Sequence, residues 1–438
     1  WGRYLALKTA LDTSGEVLHY ADMDRLLRWV ETRPDEWKQA VSWAQSKDCV
    51  VFGRTESAYQ THPQAMVQTE QISNLGYEAY SPQSYVEGIN SFFVILQIMF
   101  GGVGAISLLV AAVAVLHPLA ELVAVSSEQF AGKAVAEVFP FLAGRVGLAF
   151  QALSQHTELE KADCAFVALP HQKAMEVVPG LLKKGVRVVD LSADFRFRDA
   201  AVYEQCYKPH SAPGLLADAV YGLSEVYREK IRTAALVANP GCYPTAALLP
   251  LIPVIKSGLV VAEGIVVDAK SGVSGAGRGA VLTSLFAEVN EGVKAYKVGS
   301  HQHTPEIEQE LSLAAQKPVV INFIPHLIPM NRGILATIYA TLAGKATQED
   351  VLQCYRSFYP ESGFVRICVP GTIPSTHQVR GSNYCDIGFV IDKRTNRLII
   401  VSAIDNLLKG GAGQAVQNMN IMAGFPEDVG INQPPLFP

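Results

Sequence analysis

Apolar positions along this chain follow two different periods, and the change between them divides it. Residues 22–33 and 34–45 carry apolar side chains at helical spacing, and four tryptophans fall within the first 43 positions. A short strand-like run at 50–52 leads into a polar stretch rich in Gln, Ser and Tyr. No catalytic cluster stands out there, so residues 1–90 read as a structural appendage. Residues 92–116 then carry no charge. About 20 such residues suffice to span a bilayer. The same stretch also divides into a buried strand (93–99), a glycine turn (101–104) and a buried helix (105–116). Every face is apolar, so periodicity leaves both readings open.

From residue 117 onward the pattern is regular. Short apolar runs at 121–125, 164–169, 186–191 and 234–238 predict strands. Residues 174–184 have helical spacing, and Gly185 follows as a C-terminal stop. Strand, helix and strand within about 30 residues make a βαβ unit, hence a parallel sheet. Between 260 and 400 the strand-like runs lengthen and helices thin out, which predicts a mixed or antiparallel sheet in a second domain. A last helix, at about 412–422, packs back on the first domain. The expected architecture is α/β: an appendage (1–90), a dinucleotide-type parallel-sheet domain (91–241), an α+β substrate and oligomerisation domain (242–404), and a returning C-terminal segment (405–438).

Composition narrows the class. Hydrophobic residues make up 49% and charged residues 18%, with a net charge of −5. That is a globular chain without general attraction for nucleic acid. The seven cysteines are scattered with no CxxC pair. They read as reduced thiols of a cytosolic protein, not as a disulfide framework or a zinc site.

Candidate chemistry gathers at strand ends and glycine turns. NPGCYPT, residues 239–245, sets Cys242 after a sheet strand and just before a helix. Ligands bind at the carboxyl edge of open α/β sheets. The free N–H groups of a helix start favour a thiolate there. GSHQHTPEIEQEL, residues 299–311, puts His301 and His303 on a loop before a helix, with Thr304 as its expected N-cap and Glu306 in its first turn. KSGVSGAGRG, residues 270–279, is a glycine loop that lets backbone approach a ligand. LSADFRFRD, residues 191–199, offers Arg196 as a fork for carboxylate or phosphate. LPHQ brings His171 to a strand end, and DNLLKGGAGQAVQN sets glycines before the last helix. A thiol, histidines, glycine loops and an arginine on one α/β scaffold fit acyl-thioester redox chemistry.

At these residues the chain resembles the N-acetyl-gamma-glutamyl-phosphate reductases of arginine biosynthesis. The match runs from about 117 to 438. Among the stretches that carry it are LPHQKAMEVVP, VVDLSADFR, VANPGCYPTAA, DAKSGVSGAGR, HQHTPEIEQEL, PHLIPMNRGILATIYA and SAIDNLLKGGAGQAVQNMN. The resemblance implies a Rossmann-type NADP domain with a semialdehyde-dehydrogenase-type second domain, in a homo-oligomer, dimer or tetramer. It implies NADPH-dependent reduction of N-acetyl-glutamyl 5-phosphate to the 5-semialdehyde through a thioester on Cys242. In this scheme His301 is the acid/base, with His303 as second choice. Arg196, Ser192 and Glu306 meet the substrate. Gly101, Gly104, Ser126, Ser271, Gly272, Gly275, Asn406 and Lys409 meet NADP. No metal is implied.

Residues 68–115 resemble a different family, the macrolide-exporter-type ABC transporter permeases, and the chain therefore reads as a fusion. Gly101-Gly102-Val103-Gly104-Ala105-Ile106-Ser107 stands where the reductases place their first glycine turn, with Ser107 in the third glycine position. The rival readings are an inactive fusion, a membrane-tethered interaction protein anchored through 92–116, and an aspartate-semialdehyde dehydrogenase.

Overall fold

The structure, a computed structural model, describes residues 92–98, 117–152, 162–277, 279, 282–360 and 363–437. The permease-like resemblance and the glycine turn with Gly101 and Gly104 lie outside these residues, apart from 92–98.

The first sheet has seven parallel strands: β1 (Phe92–Ile98), β2 (Ala120–Ser126), β3 (Phe150–Gln151), β4 (Cys164–Ala168), β5 (Arg187–Asp190), β6 (Val220–Tyr221) and β7 (Leu236–Ala238). Their spatial order is β3-β2-β1-β4-β5-β7-β6. β1 pairs with β2 on one side and β4 on the other, in parallel register from Phe92↔Ala120 and Val94↔Cys164. This corrects the transmembrane reading of 92–116, since its first seven residues are a central strand. The physical reason is that a parallel strand covered on both faces is as uniformly apolar as a membrane helix. Among the described residues no helix is long and apolar enough to cross a membrane. Strand order reverses between β1 and β4, which makes their carboxyl ends a topological switch point.

Helices cover both faces of this sheet. On one face α1 (Ala174–Lys183) packs Met175, Val178 and Leu181 over Ala165, Val167 and Val188. The chain then turns at Gly185, whose φ of +79° suits a residue without Cβ. On the other face α2 (Ser224–Thr233) contributes Ile231 to the core around Phe166, Val189 and Val237.

The second sheet follows α3 (Cys242–Lys256) and is mixed. Its strands are β8 (Ile265–Ser271), β9 (Lys294–Ala295), β10 (Ile321–Leu327), β11 (Ile334–Thr341), β12 (Val365–Ile367), β13 (Cys385–Asp392) and β14 (Arg397–Ile404). They lie in the order β12-β13-β14-β11-β8-β10-β9. β8 alternates buried and half-buried positions along its length, so one face is core and the other is open. α3 fills that core together with α4 (Thr304–Ala315) and α5 (Gln348–Phe358).

α3 is apolar all round, as a helix enclosed by other elements must be. It also contains Pro250 and Pro253. Pro253 has no N–H to give the carbonyl of Leu249. The Tyr359 hydroxyl donates to that carbonyl instead, at 2.6 Å. After β14 the chain makes one wide turn of π-helix, Leu408–Ala412, and enters α6 (Gly413–Ala423). α6 sends Ala415, Val416 and Met419 into the core of the first sheet beside Ile231.

Candidate active site

β7 ends at Ala238, and four residues later α3 begins at Cys242 with Gly241 as its N-cap. The turn between them is clamped from several sides. Asn239 donates its backbone N–H to Asp190 at the end of β5 (2.7 Å) and its side-chain amide to Gly411 (3.1 Å). Gly241 donates its N–H to Glu306 at 2.9 Å. The helix starts two residues before Pro244, so Cys242 itself lies in the first turn where backbone donors are free.

Two glycines let other elements touch this turn. A Cβ on Gly410 would lie 2.7 Å from the Cβ of Cys242. A Cβ on Gly241 would lie 2.6 Å from Nε2 of His303. The wide turn before α6 and the histidine loop before α4 therefore close on the cysteine from different parts of the chain.

Burial pushes the Cys242 thiol up to about 11, against the pull of backbone hydrogen bonds from Tyr243 and Cys242 and of the Arg196 charge. The expectation that the helix start would yield a ready thiolate is corrected here: desolvation of the charged form outweighs the backbone donors. This thiol needs a base.

The histidines supply candidates. α4 begins at Thr304, with His303 rather than Thr304 in the N-cap position. The His303 N–H donates to Nδ1 of His301 at 3.1 Å. His301 is buried in an aromatic cage, 5.6 Å from the rings of Tyr243 and Tyr296 and 5.3 Å from Phe323. Burial, with the Lys297 charge, lowers its pKa to about 4. Burial also holds His303 well below the ordinary imidazole range, reinforced by His301 and Arg196. Nδ1 of His303 has no hydrogen-bond partner among the described residues. Both rings are neutral at physiological pH and able to accept a proton.

Arg196 does not present an open fork. Its Nε donates to the Asn239 carbonyl (2.8 Å), one terminal nitrogen to Glu306 (3.2 Å) and the other to the Leu191 carbonyl (3.0 Å). Glu306, 1% exposed, also accepts from the Tyr221 hydroxyl at 2.7 Å. Ser192 is fully buried and donates to Asp190 at 2.8 Å. In the structure Arg196, Ser192 and Glu306, the expected substrate contacts, are all engaged within the protein. A buried guanidinium and carboxylate satisfy each other and grip the nucleophile turn. Lys409, expected at the cofactor, is likewise engaged internally: it is fully buried, bonding Glu225 at 2.6 Å and Gln417 at 2.8 Å.

The remaining cofactor candidates fall in two places, after β8 and β14 of the second sheet and at the end of β2 of the first. Asn406 accepts from the Gly333 N–H (2.7 Å) and donates to Ser274 (3.1 Å). A Cβ on Gly275 would lie 3.3 Å from the Ser271 hydroxyl and 3.5 Å from the Asn406 amide, so these three residues form one corner. Gly272 runs against the Asn331 carbonyl, 2.5 Å from where its Cβ would be. Ser126 ends β2 beside the switch point. It is 1% exposed, and its hydroxyl has no partner among the described residues. An orphaned buried hydroxyl at that strand end suits a dinucleotide ribose or its phosphate.

The model of the semialdehyde dehydrogenase NAD binding domain matches residues 101–234, and that of the semialdehyde dehydrogenase dimerisation domain matches 242–406. The N-acetyl-gamma-glutamyl-phosphate reductase of Geobacter metallireducens is 56% identical over 323 residues, covering 74% of this chain and 93% of that protein. This chain belongs to the N-acetyl-gamma-glutamyl-phosphate reductase family. The reductase of Geotalea daltonii is 57% identical over the same length. Among solved structures, aspartate semialdehyde dehydrogenase II from Vibrio cholerae shares the fold, with a TM-score of 0.58 at 17% identity over 76% of this chain and 99% of that one. The Candida albicans aspartate semialdehyde dehydrogenase with NADP does so with a TM-score of 0.54 at 14% identity over 78% of this chain and all of that one. The dimerisation-domain match begins at Cys242, and the NAD-binding match takes in Gly101 and Gly104.

Proposed function

We propose that this chain reduces N-acetyl-glutamyl 5-phosphate to N-acetyl-glutamate 5-semialdehyde, with NADPH as reductant and release of phosphate. The observation that carries it is the placement of Cys242 at a helix start, with its Cβ against the Gly410 backbone and its neighbour Gly241 against the His303 ring. His303 is the base in this reading. It is the imidazole that abuts the nucleophile turn, while His301 supports it by accepting its backbone N–H.

With the thiol raised and the imidazole lowered, a free ion pair is uphill. The proton therefore moves as the sulfur attacks. The Sγ–carbon bond forms, the carbon–oxygen bond to phosphate breaks, and His303 returns the proton to the departing phosphate oxygen. NADPH, when bound, supplies the hydride that reduces the thioester. The carbon–sulfur bond then breaks, freeing the aldehyde, and the Cys242 thiolate regains a proton from solvent through His303. Ser126, Ser271, Gly272, Gly275 and Asn406 would hold the cofactor, with Gly101 and Gly104. Glu306 and Arg196 keep the turn in place.

The permease-like stretch supports no second activity in this proposal, since Phe92–Ile98 serves as the central strand of the cofactor sheet. The open face of the second sheet lies within the dimerisation-domain match and suits a homo-oligomer. In the full chain, Cys242→Ser should lower turnover at least 1,000-fold, roughly the loss of the covalent route, while NADPH still binds by fluorescence titration. Wild-type activity in the variant overturns the proposal. Failure of the wild type to bind NADPH favours an inactive fusion.

A further inference from the structure

The substrate of this reaction carries a phosphate, and Arg196, the cation expected to meet it, is occupied by Glu306 and two carbonyls. Another cation stands at the site. Lys297 is exposed, on the tight turn that leads from β9 to His301. Its neighbour Tyr296 packs on His301 at 5.6 Å and shares a hydroxyl hydrogen bond of 3.1 Å with Tyr243, the residue after the nucleophile. The Lys297 carbonyl accepts from Ser300, which returns the chain to the histidines. Its ammonium donates to Gln302 at 2.8 Å, and Gln302 separates His301 from His303. The backbone of Lys297 has φ of +47°, a conformation that side chains with a Cβ rarely adopt. Its charge reaches His171, His301 and His303, lowering each of them.

We infer that Lys297 binds the phosphoryl group of the acyl phosphate, holding the leaving group over the histidines at the solvent-facing mouth of the site. This rests on the proposed reductase reading. Phosphate leaves from the carbon that Cys242 attacks, so its cation must lie near the histidines yet open to solvent. Lys297 satisfies both conditions, and its hydrogen bond is to an uncharged glutamine, with no carboxylate paired to it among the described residues.

The reverse reaction separates the two anions of the substrate, because phosphate and the semialdehyde then bind as different molecules. In the full chain, Lys297→Gln should raise KM for inorganic phosphate roughly 10-fold or more, the loss of one charged hydrogen bond. KM for the semialdehyde and for NADP should stay within about twofold, and Lys297→Arg should recover most of the phosphate affinity. An unchanged phosphate KM overturns the assignment. So does a rise confined to the semialdehyde, which would place Lys297 on the carboxylate, or a rise shared by all three substrates, which would mark a structural turn. A wild-type chain without reverse turnover overturns the reductase reading and this assignment together.

Discussion

Burial decides the charge state of the residues that carry the chemistry. His301 is buried and Cys242 and His303 are half-buried, and this loss of solvation raises the thiol and lowers both imidazoles. The histidine effect has a measurable consequence for stability. His301 titrates near 4 in the folded chain, against about 6.5 for a free imidazole. Between those values the unfolded chain binds a proton that the folded chain refuses. The contribution is therefore fully present above pH 6.5 and is lost as pH falls toward 4. Asp190, raised by burial and by Asp194, works in the opposite sense. The effect is best read as a difference. The gap in Tm between wild type and His301→Asn should shrink in favour of the variant as pH drops from 7 to 4.5. Parallel curves would show that His301 is not depressed.

At the scale of elements, helix starts and glycine turns bring the site together. α3, α4 and the wide turn before α6 begin in separate parts of the sequence and meet at Gly241 and Gly410. The glycine at 410 is required by contact, since a methyl there would overlap Cys242. Gly410→Ala should cut kcat at least 100-fold, the rough cost of displacing a reacting atom by about 1 Å. Binding of NADPH should change little. Near-normal turnover in the variant would mean that the turn yields freely and does not position the sulfur. Much of this scale was legible beforehand. The strands after residue 117, the turn that carries Cys242 and the glycines before α6 all follow from local apolar runs and turn residues. The start of α4 shifted by one residue, because His303 takes the N-cap position and Thr304 lies inside the helix.

At the scale of the whole molecule, a buried polar network ties the C-terminal segment to the first sheet. Lys409 joins Glu225 on α2 to Gln417 on α6. Asn418 meets Gly222 and Asn239 at 2.9 and 3.1 Å. Lys409→Met would leave Glu225 buried without its partner and should cost roughly 3–5 kcal/mol of stability. Adding Glu225→Gln should recover part of that loss. Denaturant unfolding with and without NADPH tests the point. A normal Tm with a raised KM for NADPH would return Lys409 to the cofactor site.

Sequence alone determined what depends on near neighbours in the chain. Apolar period separates the parallel sheet from the mixed one, and strand ends followed by Gly and Pro mark where a cysteine can stand at a helix start. Only the tertiary structure decided which partners those residues choose. Arg196 pairs with a glutamate 110 residues away, and Lys409 with one 184 residues away, so neither is left open as its motif suggests. Likewise, residues 92–98 form a strand rather than part of a membrane helix because β2 and β4 flank them. Local pattern records burial and turn geometry, whereas charge pairing and the covering of a strand are settled by segments far apart along the chain.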